Sequence, residues 1–195
     1  DRIEQDYSNY KQQIEEEKAQ FSELVKDVMP PYIAERVMKG TRLIAETHPQ
    51  LTFFFSDIVG STETSKTLTN KQLVRMLGYT FMLEDEVASH YRIHKIKTIG
   101  DAYFAVSGLE DTITGAESAT EHQVFRMAAF ACVTQQLIGP TYTHYPEHSE
   151  LFRLAAGGQD LGALKMVRMR MGIHTGPAVA GVLDVGRAPH FDCFG

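Results

Sequence analysis

Apolar side chains recur at steps of three and four residues along the N-terminal segment. The series is Ile3, Tyr7, Tyr10, Ile14, Phe21, Leu24 and Val28, with Glu17 as its one polar member. This spacing predicts a helix with one apolar stripe and, over about four heptads, a parallel coiled coil with a second chain. An amphipathic helix lying on its own domain has the same pattern and remains the alternative. Pro30 and Pro31 predict a break, followed by a second short helix that ends at Gly40.

Beyond residue 40, short β-rich runs alternate with two longer helical periodicities. Strands are expected at Leu51–Val59, Ile93–Ile99, Ala102–Val106, Met166–His174, Ala178–Leu183 and Phe191–Gly195, and helices at about Asn70–Tyr91 and Ala119–Ile138. Residues 108–119 and 139–164 have the composition of irregular segments. The order β-α-β-β-α-β predicts a ferredoxin-like α+β domain. We therefore divide the chain into N-terminal helices, residues 1–40, and a second domain, residues 41–195.

Composition excludes several classes of protein. With 195 residues and 43% hydrophobic residues, the chain suits one globular core with an appendage. Its formal net charge of −6 argues against nucleic-acid binding, which requires a clustered basic face. Cys132 and Cys193 lack C-x-x-C spacing, so we expect neither a disulfide framework nor a zinc site, and a reducing, cytoplasmic compartment fits. The longest apolar run, Met127–Val133, is too short to span a bilayer, so we expect no membrane contact by this chain itself.

A carboxylate stands at the end of the first predicted strand. Asp57 precedes Gly60, Ser61 and Thr62, a sequence typical of a glycine turn into a helix. Carboxylate oxygens are ligands for Mg²⁺, and backbone N–H groups in such a turn bind phosphate oxygens, so a triphosphate site is one interpretation. The other is an ordinary helix start, in which Ser61 or Thr62 caps the helix and Asp57 interacts with its dipole.

A second carboxylate, Asp101, follows Gly100 between two predicted strands, which is typical of a hairpin turn. If the strands are neighbours, Asp57 and Asp101 would bridge two Mg²⁺ ions about 4 Å apart. One ion would lower the pKa of an attacking hydroxyl, and the other would neutralise a leaving pyrophosphate. Alternatively, Asp101 only satisfies a tight turn.

Three segments resemble the signature blocks of the class III adenylyl and guanylyl cyclases. They are Phe55–Thr62, Lys95–Phe104 and Arg170–Pro177, in the family's order, and the similarity extends from about Phe21 to the last residue. The flanking sequence is similar to the guanylyl cyclases linked to microbial rhodopsins. The resemblance implies a homodimer with two Mg²⁺ or Mn²⁺ ions in sites shared between chains, and an N-terminal sensor, which would tether the cytoplasmic domain if that sensor is a membrane protein.

The resemblance also assigns residues. It implies metal ligands at Asp57, Asp101 and the Ile58 carbonyl, phosphate-binding amides at Gly60, Ser61 and Thr62, and purine recognition by Lys97 and Asp192. The reaction implied is cyclisation of a nucleoside triphosphate to a 3′,5′-cyclic monophosphate and pyrophosphate. The family pattern continues past Phe194-Gly195 to an asparagine and an arginine, so we expect the catalytic domain to extend beyond this chain.

The chemistry of the purine-binding pair favours ATP. Lysine only donates and an ionised aspartate only accepts, so Lys97 suits adenine N1 and Asp192 suits the N6 amine. Guanine reverses both edges, and each mispaired group costs roughly 1–3 kcal/mol, which predicts an ATP preference of about tenfold or more. GTP is the alternative, because a shift of one residue would place Cys193 at the second position. A plain salt bridge between Lys97 and Asp192 is also compatible with the sequence.

Two other classes of protein have similar sequence features. A catalytically silent cyclase-like dimerisation module is expected to lose a metal-binding aspartate, yet Asp57 and Asp101 are both present. A two-metal nucleotidyltransferase of similar fold would need a basic template-binding surface, which the net charge disfavours. The sequence therefore favours an active cyclase.

Overall fold

The computed structural model of the chain describes residues 2–41, 43–110, 119–138, 167–183 and 190–195. Its helices are α1 (Arg2–Val28), α2 (Pro31–Met38), α3 (Ser61–Thr67), α4 (Asn70–His90) and α5 (Ala119–Ile138). Its strands are β1 (Ile44–Ile58), β2 (His94–Ile99), β3 (Ala102–Ser107), β4 (Met169–Leu183) and β5 (His190–Phe194). Residues 111–118 of the irregular segment predicted at 108–119, and all of the one predicted at 139–164, lie outside the described residues.

The strands are ordered β2-β3-β1-β4-β5 in one sheet. β3 pairs antiparallel with β1, where Ser56 lies opposite Tyr103, and antiparallel with β2. The turn between β2 and β3 contains Gly100 at φ 64°, a left-handed conformation that favours glycine. The predicted mixture of helices and antiparallel sheet is confirmed. The order of the first four strands is that of a β-α-β-β-α-β unit, and β5 pairs with β4.

Two strands differ from the prediction. β1 begins at Ile44 rather than at the predicted Leu51. The first half of the strand is rich in polar residues, so its sequence does not show the apolar pattern of a strand, although Ile44 and His48 are buried. The prediction of two strands around Thr175-Gly176-Pro177 is wrong, since β4 continues through all three residues. Proline's fixed φ is compatible with an extended chain, so these residues do not require a turn. The Thr175 hydroxyl lies 3.1 Å from that of Thr52 on β1.

The chain divides into two compact units, residues 48–178 and residues 1–47 with 179–195. The first unit packs α4 and α5 on the sheet. Phe54 of β1 meets Phe130 of α5 edge to face, with ring centroids 4.7 Å apart, and Tyr103 and Met127 belong to the same buried cluster. A second cluster packs under the end of β1 and consists of Ile58, Met76, Tyr79, Leu83, Ile138 and Met169. The backbone at Ile58 is therefore anchored by its side chain.

The second unit contains α1 and α2. The predicted break is confirmed, since α1 ends at Val28 and α2 begins at Pro31, with the Pro30 carbonyl accepting from the N–H of Ile33 at 2.9 Å. Arg36 of α2 forms an ion pair with Glu46 of β1. Burial, and then the charge of Glu46, raises the pKa of Tyr32.

The apolar stripe of α1 is exposed in the single chain. Tyr7, Phe21 and Leu24 are 71%, 60% and 65% exposed. The helix is thus confirmed, whereas its pairing with a second chain stays a prediction. None of the helices in the described part of the chain is long and apolar enough to cross a membrane.

Candidate metal and nucleotide site

Asp57 lies at the end of β1, between two buried neighbours. Ser56 and Ile58 are only 1% and 2% exposed, whereas Asp57 between them is partly exposed to solvent. Its carboxylate forms an ion pair with Arg170 of β4, in which Nη2 donates to Oδ2. The neighbouring backbone bond from Val59 N–H to the Arg168 carbonyl, at 2.8 Å, holds the two strands in this register.

Asp101 lies in the turn between β2 and β3, beside Asp57. Burial raises its pKa, but hydrogen bonding with the Ser61 hydroxyl, with the Asp57 carboxyl and with the backbone N–H groups of Asp101 and Ile58 outweighs burial. The net result is a pKa below its ordinary value. The fold therefore brings together the two carboxylates that the sequence analysis singled out, along with the hydroxyl of Ser61.

The donor set fits a small divalent cation. The Oδ2 atom of Asp101 is buried and has no hydrogen-bond partner among the described residues. Asp57 already lies against a cation, the Arg170 guanidinium. No group of three or more His, Cys, Asp or Glu side chains suited to a metal occurs in the described ranges. Two carboxylates and a carbonyl suit Mg²⁺, which is commonly bound by one or two carboxylates together with substrate phosphates.

The turn after β1 contradicts the simple helix-cap interpretation. Gly60, at φ 73° and ψ 22°, is itself the N-cap of α3, and no side chain caps the helix. The Gly60 carbonyl accepts from the N–H groups of Glu63 and Thr64 at 3.1 and 3.0 Å. Ser61 is instead the first helical residue, and its hydroxyl is used at Asp101. The alternative interpretation, in which Ser61 or Thr62 caps the helix, is therefore wrong.

The two candidate purine-binding residues lie in different units. Lys97 is a half-buried residue of β2, opposite Phe104 and next to a register shift that begins at Lys95. Asp192 lies on β5, opposite Gly181. Its side chain is 10% exposed, its Oδ1 accepts from the Cys193 N–H at 2.9 Å, and its Oδ2 lies 3.7 Å from His190 Nε2. Their shared role stays a prediction.

Two residues near the site were not singled out from the sequence. Arg170 belongs to the segment Arg170–Pro177 that resembles a cyclase signature block, but the sequence assigned it no function. Only the pairing of β4 with β1 places its guanidinium at Asp57. Glu84 of α4 is fully buried, and its Oε1 accepts a hydrogen bond of 2.5 Å from the Ser56 hydroxyl. A signal for Glu84 was available, because it shares the spacing of the buried helix positions Thr80 and Val87.

The environment of Glu84 favours its neutral form. Burial raises its pKa to about 7, with a further contribution from Asp85, while the bond from Ser56 and the charge of Lys95 act in the opposite direction. Asp85, the next residue, is only partly buried. It accepts from the Tyr103 hydroxyl and from Lys95 Nζ, both at 2.7 Å. Burial, and then Asp85, raises the pKa of Tyr103.

The α+β domain thus carries a strand-end carboxylate, a hairpin carboxylate and a glycine turn on one antiparallel sheet, a set of groups with the chemistry of a two-carboxylate metal site. Comparison with known proteins identifies its family. Residues 43–195 match the adenylate and guanylate cyclase catalytic domain. The chain belongs to this family.

Individual relatives support this family assignment. The speract receptor of Strongylocentrotus purpuratus is 32% identical over 188 residues, covering 94% of this chain and 14% of the receptor. The membrane guanylyl cyclase of Dictyostelium discoideum is 32% identical over 184 residues, covering 93% of this chain and 11% of that protein. The chain thus spans a small part of these relatives' length. Among solved structures, the catalytic core of a rhodopsin-guanylyl cyclase with converted specificity, in complex with ATPαS, is 26% identical with a TM-score of 0.56, over 77% of this chain and 68% of that one.

Proposed function

We propose that this chain catalyses the cyclisation of a nucleoside triphosphate to a 3′,5′-cyclic monophosphate, with release of pyrophosphate. The observation that carries the proposal is the placement of Asp101 beside Asp57 and the Ser61 hydroxyl, at the junction of a strand end and a hairpin turn. Membership of the cyclase family supports it further.

The roles of the residues follow from their donor chemistry. Asp57, Asp101 and the Ile58 carbonyl would hold two Mg²⁺ or Mn²⁺ ions. When bound, the ions would supply acidification of the 3′-hydroxyl and neutralisation of the pyrophosphate. The N–H groups of Gly60, Ser61 and Thr62 would bind phosphate oxygens.

Arg170 adds a positive charge at the same place. Its guanidinium is 70% exposed and lies on Asp57, so it balances this carboxylate before substrate binds. Guanidinium groups also bind phosphate, so Arg170 is free to move from the carboxylate to a triphosphate oxygen once a metal takes its place at Asp57.

We further propose that the active form is a homodimer joined through α1. The support is the exposed apolar stripe of α1, with Phe21 and Leu24 each at least 60% exposed. The stripe already contains one charge, Glu17, and a second one should outweigh the apolar contacts that remain. Leu24→Glu should therefore sediment as a monomer, whereas Gln20→Glu outside the stripe should not. An upstream sensor would act through this helix.

ATP is the proposed substrate, on the complementarity of Lys97 and Asp192 to the adenine edge. A solved relative with converted specificity holds an ATP analogue, which is compatible with this choice. GTP is the second candidate, since the Dictyostelium relative is named a guanylyl cyclase.

The test is a comparison of initial rates with ATP and GTP in Mn²⁺ and in Mg²⁺, using the gene product that contains this chain. We expect cyclic AMP to be the main product and Asp57→Asn to abolish turnover. Glu86→Gln, which changes an exposed acid of α4, is the matched control and should keep full activity. Production of cyclic GMP from GTP at an equal or higher rate would contradict the ATP assignment. No product with either nucleotide would leave a silent dimerisation module as the function.

A further inference from the structure

Two adjacent carboxyl side chains of α4 contact the two segments that carry the proposed metal ligands. Glu84 contacts β1 at Ser56, the residue before Asp57. Asp85 contacts the β2–β3 hairpin at Lys95 and Tyr103, and this hairpin bears Asp101 in its turn. One helical turn is therefore bonded to both halves of the site.

The contact made by Glu84 is the more unusual of the two. Both partners are buried, with Glu84 0% and Ser56 1% exposed. The hydrogen bond of 2.5 Å is at the short end of the range for a hydroxyl on a carboxyl group. The second oxygen, Oε2, is also buried and has no hydrogen-bond partner within the described residues.

A buried acid is a costly way to fill this position. The neighbouring buried positions of α4 include Met76, Leu83 and Val87, so an apolar side chain would suit the surroundings. Replacing both members of a buried polar pair by apolar groups is often neutral or stabilising. The polar pair differs from an apolar contact in being directional. The hydrogen bond fixes the position of Ser56, whereas an apolar contact would leave that position less defined.

The structure assigns Glu84 as a positioning residue that holds the end of β1, and so the carboxylate of Asp57, in the geometry of the metal site. The companion contacts of Asp85 hold the hairpin with Asp101 relative to the same helix. This inference rests on the proposed function, since it concerns how that site is kept in place. Groups that hydrogen-bond directly to metal ligands typically contribute 10- to 100-fold to metal affinity, and Glu84 acts one residue away from Asp57, so we expect the lower end of that range.

The experiment measures the Kd for Mn²⁺ alone by electron paramagnetic resonance, together with the unfolding midpoint, in the gene product that contains this chain. Glu84→Met leaves the Ser56 hydroxyl without its acceptor, and we expect the Kd to rise about tenfold. Glu84→Gln keeps an acceptor and should stay within about twofold of the unchanged protein. Glu86→Gln is the control for loss of an exposed acid on the same helix.

A double variant separates positioning from stability. Ser56→Ala with Glu84→Met removes both polar groups, so its unfolding midpoint should recover relative to Glu84→Met. If Glu84 positions the strand, the Kd for Mn²⁺ stays raised in the double variant although stability returns. If the Kd for Mn²⁺ recovers together with stability in the double variant, or does not change in Glu84→Met, the positioning role of Glu84 is overturned while the proposed function stands. An unchanged protein that binds Mn²⁺ no better than Asp57→Asn would overturn the proposed function and this inference with it.

Discussion

The Arg170 guanidinium of β4 donates a hydrogen bond to the Asp57 carboxylate at the end of β1. The contact joins residues 113 positions apart in the sequence. It places a cation where the family resemblance expects a metal ion, so Arg170 and a metal have the same electrostatic reason to be near Asp57. Either cation offsets the negative charge of the Asp57 carboxylate.

Loss of the Arg170 charge should affect substrate more than folding. Arg170 is 70% exposed, so Arg170→Gln should lower the free energy of unfolding by no more than about 1 kcal/mol, since solvent screens exposed ion pairs. The Kd for Mn²⁺ alone should be unchanged or lower, because a competing cation has gone. Turnover should fall about tenfold or more through loss of a phosphate-binding charge. Denaturant titration, Mn²⁺ binding and initial rates check the three parts.

Arg168→Gln is the control for this prediction. Arg168 is exposed and bonds to Val59 through its carbonyl, which the substitution leaves in place. A turnover loss of similar size in Arg168→Gln would mean that the effect follows total charge rather than the contact with Asp57.

Glu84 should make the folded chain less stable as pH rises towards neutrality, which is the opposite of the usual effect of a carboxyl group. Its pKa is raised from 4.5 to about 7, chiefly by burial, so the folded chain keeps a proton that the unfolded chain has lost. The free energy of unfolding should therefore fall as pH rises from about 4.5 to about 7, by on the order of 3 kcal/mol. Glu84→Gln should remove this part of the pH dependence and be the more stable protein at pH about 8.

Urea denaturation on both sides of this pH window measures the effect. Glu86→Gln lacks the burial of Glu84 and should keep the pH dependence of the unchanged protein. If Glu84→Gln and the unchanged protein lose the same free energy of unfolding between the two pH values, Glu84 does not cause the pH dependence. The raised pKa of Glu84 would then be contradicted.

Gly181 of β4 has no room for a side chain. A Cβ built there would lie 2.0 Å from the Ile44 carbonyl oxygen, which is a backbone atom and cannot move aside alone. Gly181→Ala should therefore cost about 1–3 kcal/mol or more of unfolding free energy, as overpacking does. Gly172→Ala, on the same strand with no atom within 4 Å of its Cβ, is the matched control and should be neutral or slightly stabilising. Equal unfolding midpoints for the two variants would contradict the close approach.

Substituting both members of the proposed purine-binding pair, Lys97 and Asp192, should change the substrate preference. Lys97→Glu with Asp192→Cys replaces the donor by an acceptor and removes the acceptor for the N6 amine. The ratio of kcat/KM for ATP to that for GTP should fall by at least about tenfold. The single variants should each shift the ratio part of the way. A ratio that follows neither single nor double substitution would leave Lys97 and Asp192 without a role in purine recognition.

Local patterns in the sequence determined most of the elements. The helix at Ala119–Ile138 was predicted with its observed bounds, and the hairpin turn at Gly100-Asp101 was predicted from two residues that favour such turns. The break at Pro30 follows from the chemistry of proline alone. These features depend on a residue and its near neighbours, so the sequence carries them directly.

Tertiary structure decided which residues meet. The pairing of β4 with β1 determines that Arg170 lies at Asp57, and no local pattern encodes that contact. The strand β4 also runs unbroken through Pro177, where the sequence pattern predicted two separate strands. The packing of α4 on the sheet buries Glu84 against Ser56 and so raises the pKa of the acid. Burial and charge at a site are sums over distant segments of the chain, and only the assembled fold brings those segments together.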